Sequence, residues 1–429
     1  MKPTFLFKAL VFISPFLSVE AGSPFHDYGE LRLAVSQHHD SIWTSDEGDK
    51  VKKPLTLCNP DGFYNSDPER ILRPFGSVAI DAVKGVKTKR LMLVGGINPD
   101  KWNKTNPVVV FPERMKLINS FRKCVRIKFS LWELDCKQGY VALGHVATKT
   151  DEKPDTKGFY CVRKDFVERG TLKQTIWDDT EDICVSHYAL EDIVPKASTT
   201  ADGSQNIPLY ASSFQAIYKG NRPAEVWTLS LNFSSNAKDF SELPPKFPDI
   251  KSAIAAKGKV FNETRLSKVT LPLTALFPPD DPTMYKTPVG ERFATISTFM
   301  GWYVPSVIPN DTDEKQTRTG SITYGVSTET TKHEEQTGGL EISAGVGIKA
   351  FEFGISLNRQ LFSSKTEIRR ALEWKVLGWS HNSGPRSTLV TFAEQLKVNI
   401  TTVDKKVTFG QDVTSIVEGI LFYREVKHV

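Results

Sequence analysis

Between Ser321 and Ile368 apolar and polar residues alternate along the chain. Ile322, Tyr324 and Val326 open the pattern, and Leu340, Ile342, Ala344, Val346 and Ile348 continue it. Phe351, Phe353, Ile355 and Leu357 follow on the opposite parity, with Ser, Thr, Gly, Glu and Asn between them. A period of two predicts strands with one apolar and one wet face. The parity changes across Lys349-Ala350, and two geometries explain it. In the first, 349–350 is a two-residue turn that sets Ile348 opposite Phe351, Val346 opposite Phe353 and Ile342 opposite Leu357. Every pair on that face is then apolar. In the second, the turn lies at Thr337-Gly338-Gly339 and 349–350 is a bulge. Lys-Ala is poor chemistry for a turn that prefers Asn-Gly or Gly-X. Turn chemistry therefore favours the second geometry, and pairing the first.

The arms 340–349 and 350–358 approach the roughly 9–11 residues a strand needs to cross a bilayer. Glu341, Lys349 and Glu352 all fall on the polar face. That segregation matters, because a mid-bilayer charge on the lipid side of a barrel costs about 2–4 kcal/mol. The pattern fits a membrane-inserting hairpin over 321–358. Its inserting face is Ile322, Tyr324, Val326, Leu340, Ile342, Val346, Ile348, Phe351, Phe353, Ile355 and Leu357. It also fits an ordinary hairpin with one face on a soluble core, the commoner arrangement. Glu329, His333, Glu334 and Glu335 cluster near the tip. Carboxylates entering an apolar phase favour the protonated form, so acid is expected to ease insertion.

Elsewhere short strands are separated by Asp, Asn, Gly and Pro turns from Gly29 onward. One short helix is expected over Lys251–Lys257. Three stretches resemble one another. The first runs from Ser41-Ile42-Trp43 through Phe75-Gly76-Ser77-Val78-Ala79 to 91–94, the second from Ser130-Leu131-Trp132 through Leu143-Gly144-His145-Val146-Ala147 to Cys161-Val162-Arg163. The third runs from Thr175-Ile176-Trp177 through Ser213-Phe214-Gln215-Ala216 to Trp227-Thr228-Leu229. Three copies of a small β unit predict a pseudo-threefold, β-prism or trefoil-like module. The proline-rich 244–248 reads as a linker. Beyond it, long strands are expected over 268–277, 294–304, 366–376, 388–392, 398–407 and 415–423. The fold class is all-β, a pseudo-threefold N-terminal module (24–243) followed by an elongated antiparallel C-terminal module (244–429).

Composition changes this picture little. The 429 residues suffice for two or three domains, and 39% hydrophobic residues suffice for real cores. A net charge of +5 without a Lys/Arg block implies no nucleic acid partner. Residues 1–21 read as a secretory signal, with Lys2 and Lys8 before an apolar run and small residues near Ala21. Secretion agrees with Asn-X-Ser/Thr glycosylation sites at Asn103, Asn232, Asn262, Asn310 and Asn399. The five cysteines, Cys58, Cys124, Cys136, Cys161 and Cys184, predict one or two disulfides and at least one remaining thiol. No zinc spacing, Gly-x-Ser-x-Gly or phosphate-binding loop is present, so neither an enzyme nor a cofactor nor a metal is expected. His38-His39-Asp40 reads as a polar strand end, and Asp178, Asp179, Glu181 and Asp182 as a solvated turn. Trp43, Trp132 and Trp177 are the candidates for stacking on a surface ligand, though aromatics repeated in repeated strands more often build core.

Ser130–Thr148 (SLWELDCKQGYVALGHVAT), then FYCVRKDFV and TIWDDTEDICVSHYA, resemble the vacuolar-protein-sorting sixty-two-related family over about 28–235. Arg73-Pro74-Phe75-Gly76 departs from the family pattern in the first copy. The resemblance implies a domain rather than a chemistry. Long strands framing a Ser/Thr/Gly-rich amphipathic hairpin are also similar to the aerolysin-type pore-forming module. Together these imply a secreted, membrane-associated protein that recognises a glycan or lipid receptor, forms a homo-oligomer on a lipid membrane and inserts the hairpin. The alternative is a non-lytic sorting or carbohydrate-binding factor of the secretory pathway.

Overall fold

A computed structural model of the chain describes residues 25–36, 39–44, 53, 55–60, 72–81, 92–122, 128–149, 152–179, 186–195, 206–211, 213–232, 240–275, 293–327, 375–402, 411–417 and 421–427. These residues are mostly strand, in antiparallel sheets. The first group is β1 (Phe25–Tyr28), β2 (Leu31–Ser36), β3 (His39–Thr44), β4 (Leu55–Pro60), β5 (Arg73–Pro74), β6 (Val78–Asp81) and β7 (Met92–Ile97). It makes an outer sheet β1-β2-β7-β5 and an inner sheet β3-β4-β6. The second group is β8 (Val109–Val110), β9 (Arg114–Phe121), β10 (Phe129–Asp135), β11 (Tyr140–Val141), β12 (Val146–Lys149) and β13 (Cys161–Arg163). Its sheets are β12-β10-β9 and β11-β13-β8. The third group is β14 (Val167–Asp178), β15 (Tyr188–Pro195), β16 (Asn206–Leu209), β17 (Phe214–Tyr218) and β18 (Trp227–Asn232), in one sheet ordered β16-β18-β14-β15-β17.

The three inner sheets carry the repeat. Trp43 pairs with Leu57, and Leu57 with Ala79. Phe121 pairs with Phe129, and Leu131 with Ala147. Trp177 pairs with Leu190, and Leu190 with Ala216. All of these residues meet in one buried cluster. Small residues let the three chains close around a common axis. A side chain on Gly144 would come within 2.6 Å of the Ser213 Cβ, and one on Gly76 within 3.1 Å of the His145 carbonyl. The backbone steps from copy to copy there: Ser77 N–H donates to His145 O at 2.9 Å, and His145 N–H to Phe214 O at 3.0 Å. The amide two residues on is held as well. Ala147 N–H donates to Ser77 Oγ at 2.7 Å, and Ala216 N–H to His145 Nδ1 at 3.0 Å. The pseudo-threefold expectation therefore has a physical basis in the -Gly-Ser-, -Gly-His- and -Ser-Phe- steps.

The C-terminal part holds α1 (Ile250–Ala255), β19 (Val260–Pro272), β20 (Phe293–Asn310), β21 (Gln316–Ser327), β22 (Lys375–Ser383), β23 (Ser387–Thr402), β24 (Gln411–Ile416) and β25 (Phe422–Lys427). Asp249 caps α1 by accepting from Ser252 N–H at 2.7 Å. The sheet order is β19-β20-β23-β24-β21-β22, and β25 pairs with β23. One expectation is corrected here. The strand read over 415–423 is two strands, because β23 is long enough to pair with β24 along Gln395–Ile400 and with β25 along Ser387–Phe392. Residues 388–392 and 398–402, expected as parts of two separate strands, belong to the single strand β23, and 403–407 lie outside the described residues. The proline-rich 244–248 is packed, since Phe247 stacks on Phe392 and meets Phe261 edge-on.

One cluster crosses from the N-terminal to the C-terminal part. Leu31, Leu33, Val141, Val162, Ile207 and Leu229 share it with Leu266, Leu271, Ile296, Leu396, Val398 and Ile400. The Tyr28 hydroxyl donates to Thr270 O at 2.9 Å across the same boundary, and burial raises its pKa well above the usual value. Cys136 and Cys161 are disulfide-bonded, and Cys58 is a buried thiol near Val78 O.

Candidate functional site

The strands on either side of the alternating segment form a ribbon that doubles back on the sheet. β20 and β23 pair from Ala294↔Thr402 to Asn310↔Ser387. Both then leave through tight turns at the same end, 311–315 and 384–386. β21 and β22 pair onward from Gln316↔Ser383 to Tyr324↔Lys375. The reversal is fixed at the far end. Gly325, Val326 and Ser327 of β21 pair with Ile416, Ser415 and Thr414 of β24, and these same residues pair with Gln395, Leu396 and Lys397 of β23. Ile322 and Tyr324 are buried against Ala393. Gly320 leaves room for Trp379, whose indole would lie 2.5 Å from any Cβ at 320. His381 stacks flat on Tyr423 of β25, with ring centroids 4.1 Å apart. The outer side of β22 is less covered, and Val376 is 50% exposed.

The two turns are joined to each other. Asn310 is 0% exposed. Its amide donates to Glu314 O at 2.9 Å, Gly384 O at 2.7 Å and Ser383 O at 3.5 Å. Its side-chain oxygen accepts from Thr312 N–H at 3.2 Å and Thr312 Oγ at 2.7 Å. One buried amide thus serves carbonyls of both turns, which lie where no strand partner satisfies them. On the outside, the Arg386 guanidinium grips the Asp313 carboxylate at 2.8 and 3.2 Å and holds its pKa below the usual range. Arg386 N–H donates to Thr312 O at 2.9 Å, and its φ is 43°. The Gly384 N–H donates to Glu425 Oε1 at 2.6 Å. A cleft of about 610 Å³ beside the turns is lined by Lys315, His381, Asn382 and Glu425.

Of the expected inserting face, Ile322 and Tyr324 are buried in this ribbon and Val326 lies in β21. Leu340, Ile342, Val346, Ile348, Phe351, Phe353, Ile355 and Leu357 lie outside the described residues, as do the acidic tip, residues 1–21, Cys124 and Cys184. Trp43, Trp132 and Trp177 are 2%, 6% and 3% exposed. A ring that stacks on a surface ligand needs a free face, so these three are reassigned to the core. Asn310 is likewise reassigned: a buried amide with these partners has no room for a glycan. Asn103 is exposed, Asn262 is exposed with its amide on Leu243 O at 2.9 Å, and Asn399 is half-buried. Asn232 ends β18, and its side chain lies outside the described set. Asp178 pairs with Lys53, and Asp179 is buried, accepting from Ser186 N–H at 2.6 Å and Tyr188 N–H at 3.0 Å. These two carboxylates tie a loop. Among the described residues no group of three metal-binding side chains converges. Residues 310–319 read in sequence as a polar, turn-like entry to the hairpin, with Asn310 as a sequon, but the pairing of Asp313 with Arg386 and the bridging by Asn310 depend on a second turn about 70 residues away. Asn-Asp-Thr is also turn chemistry, an Asn side chain bonding its own backbone two residues on.

The family model for vacuolar protein sorting-associated protein 62 matches residues 16–258. The chain belongs to this family. The match covers the whole pseudo-threefold part and ends between α1 and β19. No curated protein sequence matches the chain. Among solved structures, GNIP1Aa from Chromobacterium piscinae aligns with 15% identity and a TM-score of 0.35, over 46% of this chain and 34% of that one. Cry35Ab1 aligns with 9% identity and a TM-score of 0.32, over 93% of this chain and 90% of that one. At TM-scores this low neither likeness enters the argument. No helix among the described residues is long and apolar enough to cross a membrane, which says nothing of strands.

Proposed function

We propose that this Vps62-family protein is secreted, docks on a membrane surface through its pseudo-threefold part, assembles with further copies and inserts residues 321–358 as a β-hairpin. The register of the β21–β22 ribbon carries the reading. Its pairs step inward by one residue on each side, from Gln316↔Ser383 to Tyr324↔Lys375. Extended through 325–374, which lie almost wholly outside the described residues, the same step would set Ile342 opposite Leu357, Val346 opposite Phe353 and Ile348 opposite Phe351, with the turn between Lys349 and Ala350. That is the first of the two geometries the alternation allows, and the one with an unbroken apolar face. Lipid offers no partners to backbone groups, so such ribbons cross it only when neighbouring copies close a ring. β22 is the terminal strand of its sheet among the described residues, which supports an exit from the fold. The receptor in this reading is a glycan or lipid head group, and no bond-making chemistry or cofactor belongs to it.

Dye release from liposomes tests the proposal, at neutral and acidic pH. The double variant H381C/Y423C joins the ribbon to β25 when oxidised. We expect wild-type release, no release from the oxidised variant, and recovery on reduction. Absence of release by the wild type under every condition overturns the reading. The burial of Ile322 and Tyr324 favours a second reading, in which the ribbon stays closed and the chain is a non-lytic sorting or carbohydrate-binding factor. The family's description accords with that role, and silent liposomes would support it.

A further inference from the structure

We propose that Asn310 and the Arg386–Asp313 pair form a clasp that keeps the β21–β22 ribbon folded back, and that its release lets β20 run on into β21 and β22 into β23 as one straight two-stranded ribbon. The inference concerns regulation of the site just described and takes its purpose from that reading.

Three observations carry it. The paired strands on the two sides of the turns are already continuous in sequence and in partnership, since β20 pairs with β23 and β21 with β22. The turns differ by two residues, 311–315 against 384–386. Straightening therefore leaves a small excess on one strand, which a bulge absorbs. The contacts that hold the reversal at the turns are polar. Asn310 alone bridges Glu314 O on one side to Ser383 O and Gly384 O on the other. The Arg386 backbone is in the left-handed region, at φ 43°, which disfavours any residue but glycine. Its N–H bond to Thr312 O and its grip on Asp313 hold it there, and opening relaxes it.

The rest of the ribbon is held by the β21–β24 pairs at its far end and by buried, largely apolar side chains. Ile322 and Trp379 present buried apolar surface, and a lipid surface covers such surface equally well. The clasp, together with the short β21–β24 ladder at the far end, is thus the part of the closure that hydrocarbon does not replace. Its carbonyls exchange Asn310 for strand partners or water once the ribbon extends.

Spin labels on Val376 of β22 and Lys268 of β19 test the inference in the full-length chain, because both positions are exposed. Lys268 is level with Asn399 through Ser297. In the folded-back form the two labels lie on the same half of the sheet. In the straight ribbon they lie on opposite sides of the turns. At about 3.3 Å per residue the separation lengthens by about 40 Å or more. Wild type should show the short distance in solution and N310A a population at the long one. Amides of 316–324 should exchange about a hundredfold faster in N310A and a few-fold faster in D313N, with amides of β20 and β23 unchanged. D313N removes an exposed pair and carries the test should N310A fail to fold. Wild-type distances and rates in both variants overturn the clasp. So does acceleration spread equally through β20 and β23, which makes Asn310 a general support of the sheet. A ribbon that opens in N310A while liposomes stay sealed leaves the clasp standing and removes membrane insertion.

Discussion

His145 shows how much one side chain carries at the pseudo-threefold axis. Its backbone links two copies, and its Nδ1 accepts the Ala216 N–H. Nε2 lies 3.1 Å from the Gln215 side-chain amide. Accepting at Nδ1 requires the neutral ring, and burial lowers the pKa from 6.5 to about 4. The unfolded chain takes up that proton more readily, so the contribution is complete above about pH 6.5 and is lost as pH falls toward 4. The loss is on the order of 3 kcal/mol by pH 4. H145Q keeps an acceptor and removes the titration. Denaturant midpoints of wild type should fall between pH 6.5 and 4 more steeply than those of H145Q, and parallel curves would reject this role. The residue was visible in the sequence as the polar step of -Gly-His-Val-Ala-. Its burial was not, because a histidine on a strand reads the same whether its partner is water or a neighbouring copy's amide.

At the scale of elements, alternation was enough to find the body of β20 and the second half of β21, while β23 read as two separate stretches because its pattern is less regular in the middle. Direction was not legible. The turns at 311–315 and 384–386 read as ordinary loops, and nothing in either marks that both lie at one end and carry a paired ribbon back on itself. Gly320 is the element's local requirement, because Trp379 occupies the space of its side chain. G320A should push the indole out and destabilise the ribbon by about 1–3 kcal/mol. Hydrogen exchange would read this as faster exchange confined to 316–324 and 375–383. Uniform acceleration over the sheet would instead mean that the ribbon is not a separable unit.

For the whole molecule, the shared cluster decides cooperativity. Leu31, Val162 and Leu229 from one part and Leu271, Ile296 and Val398 from the other bury against each other. Two parts joined this way should unfold together. We expect one transition in thermal melts followed by both near-ultraviolet and far-ultraviolet dichroism, and a chain cut at 243 that binds a hydrophobic dye. Two resolved transitions, or a truncated chain with native packing, would show independent domains. The boundary near 244–248 is a real change of repeat, yet Phe247 is part of the C-terminal core, so prolines there mark a direction of the chain and not a loose tether.

What the sequence determined by itself is the all-β character, the three copies and the segregated face of 321–358, because strand period, small residues at close approaches and charge placement are local properties. The tertiary structure decided the rest. It buried the three tryptophans and Asn310, merged two modules into one core, and folded the ribbon back so that its register could be read. Each of these depends on which surfaces come together, and burial is a property of pairs of surfaces that no single stretch of chain contains.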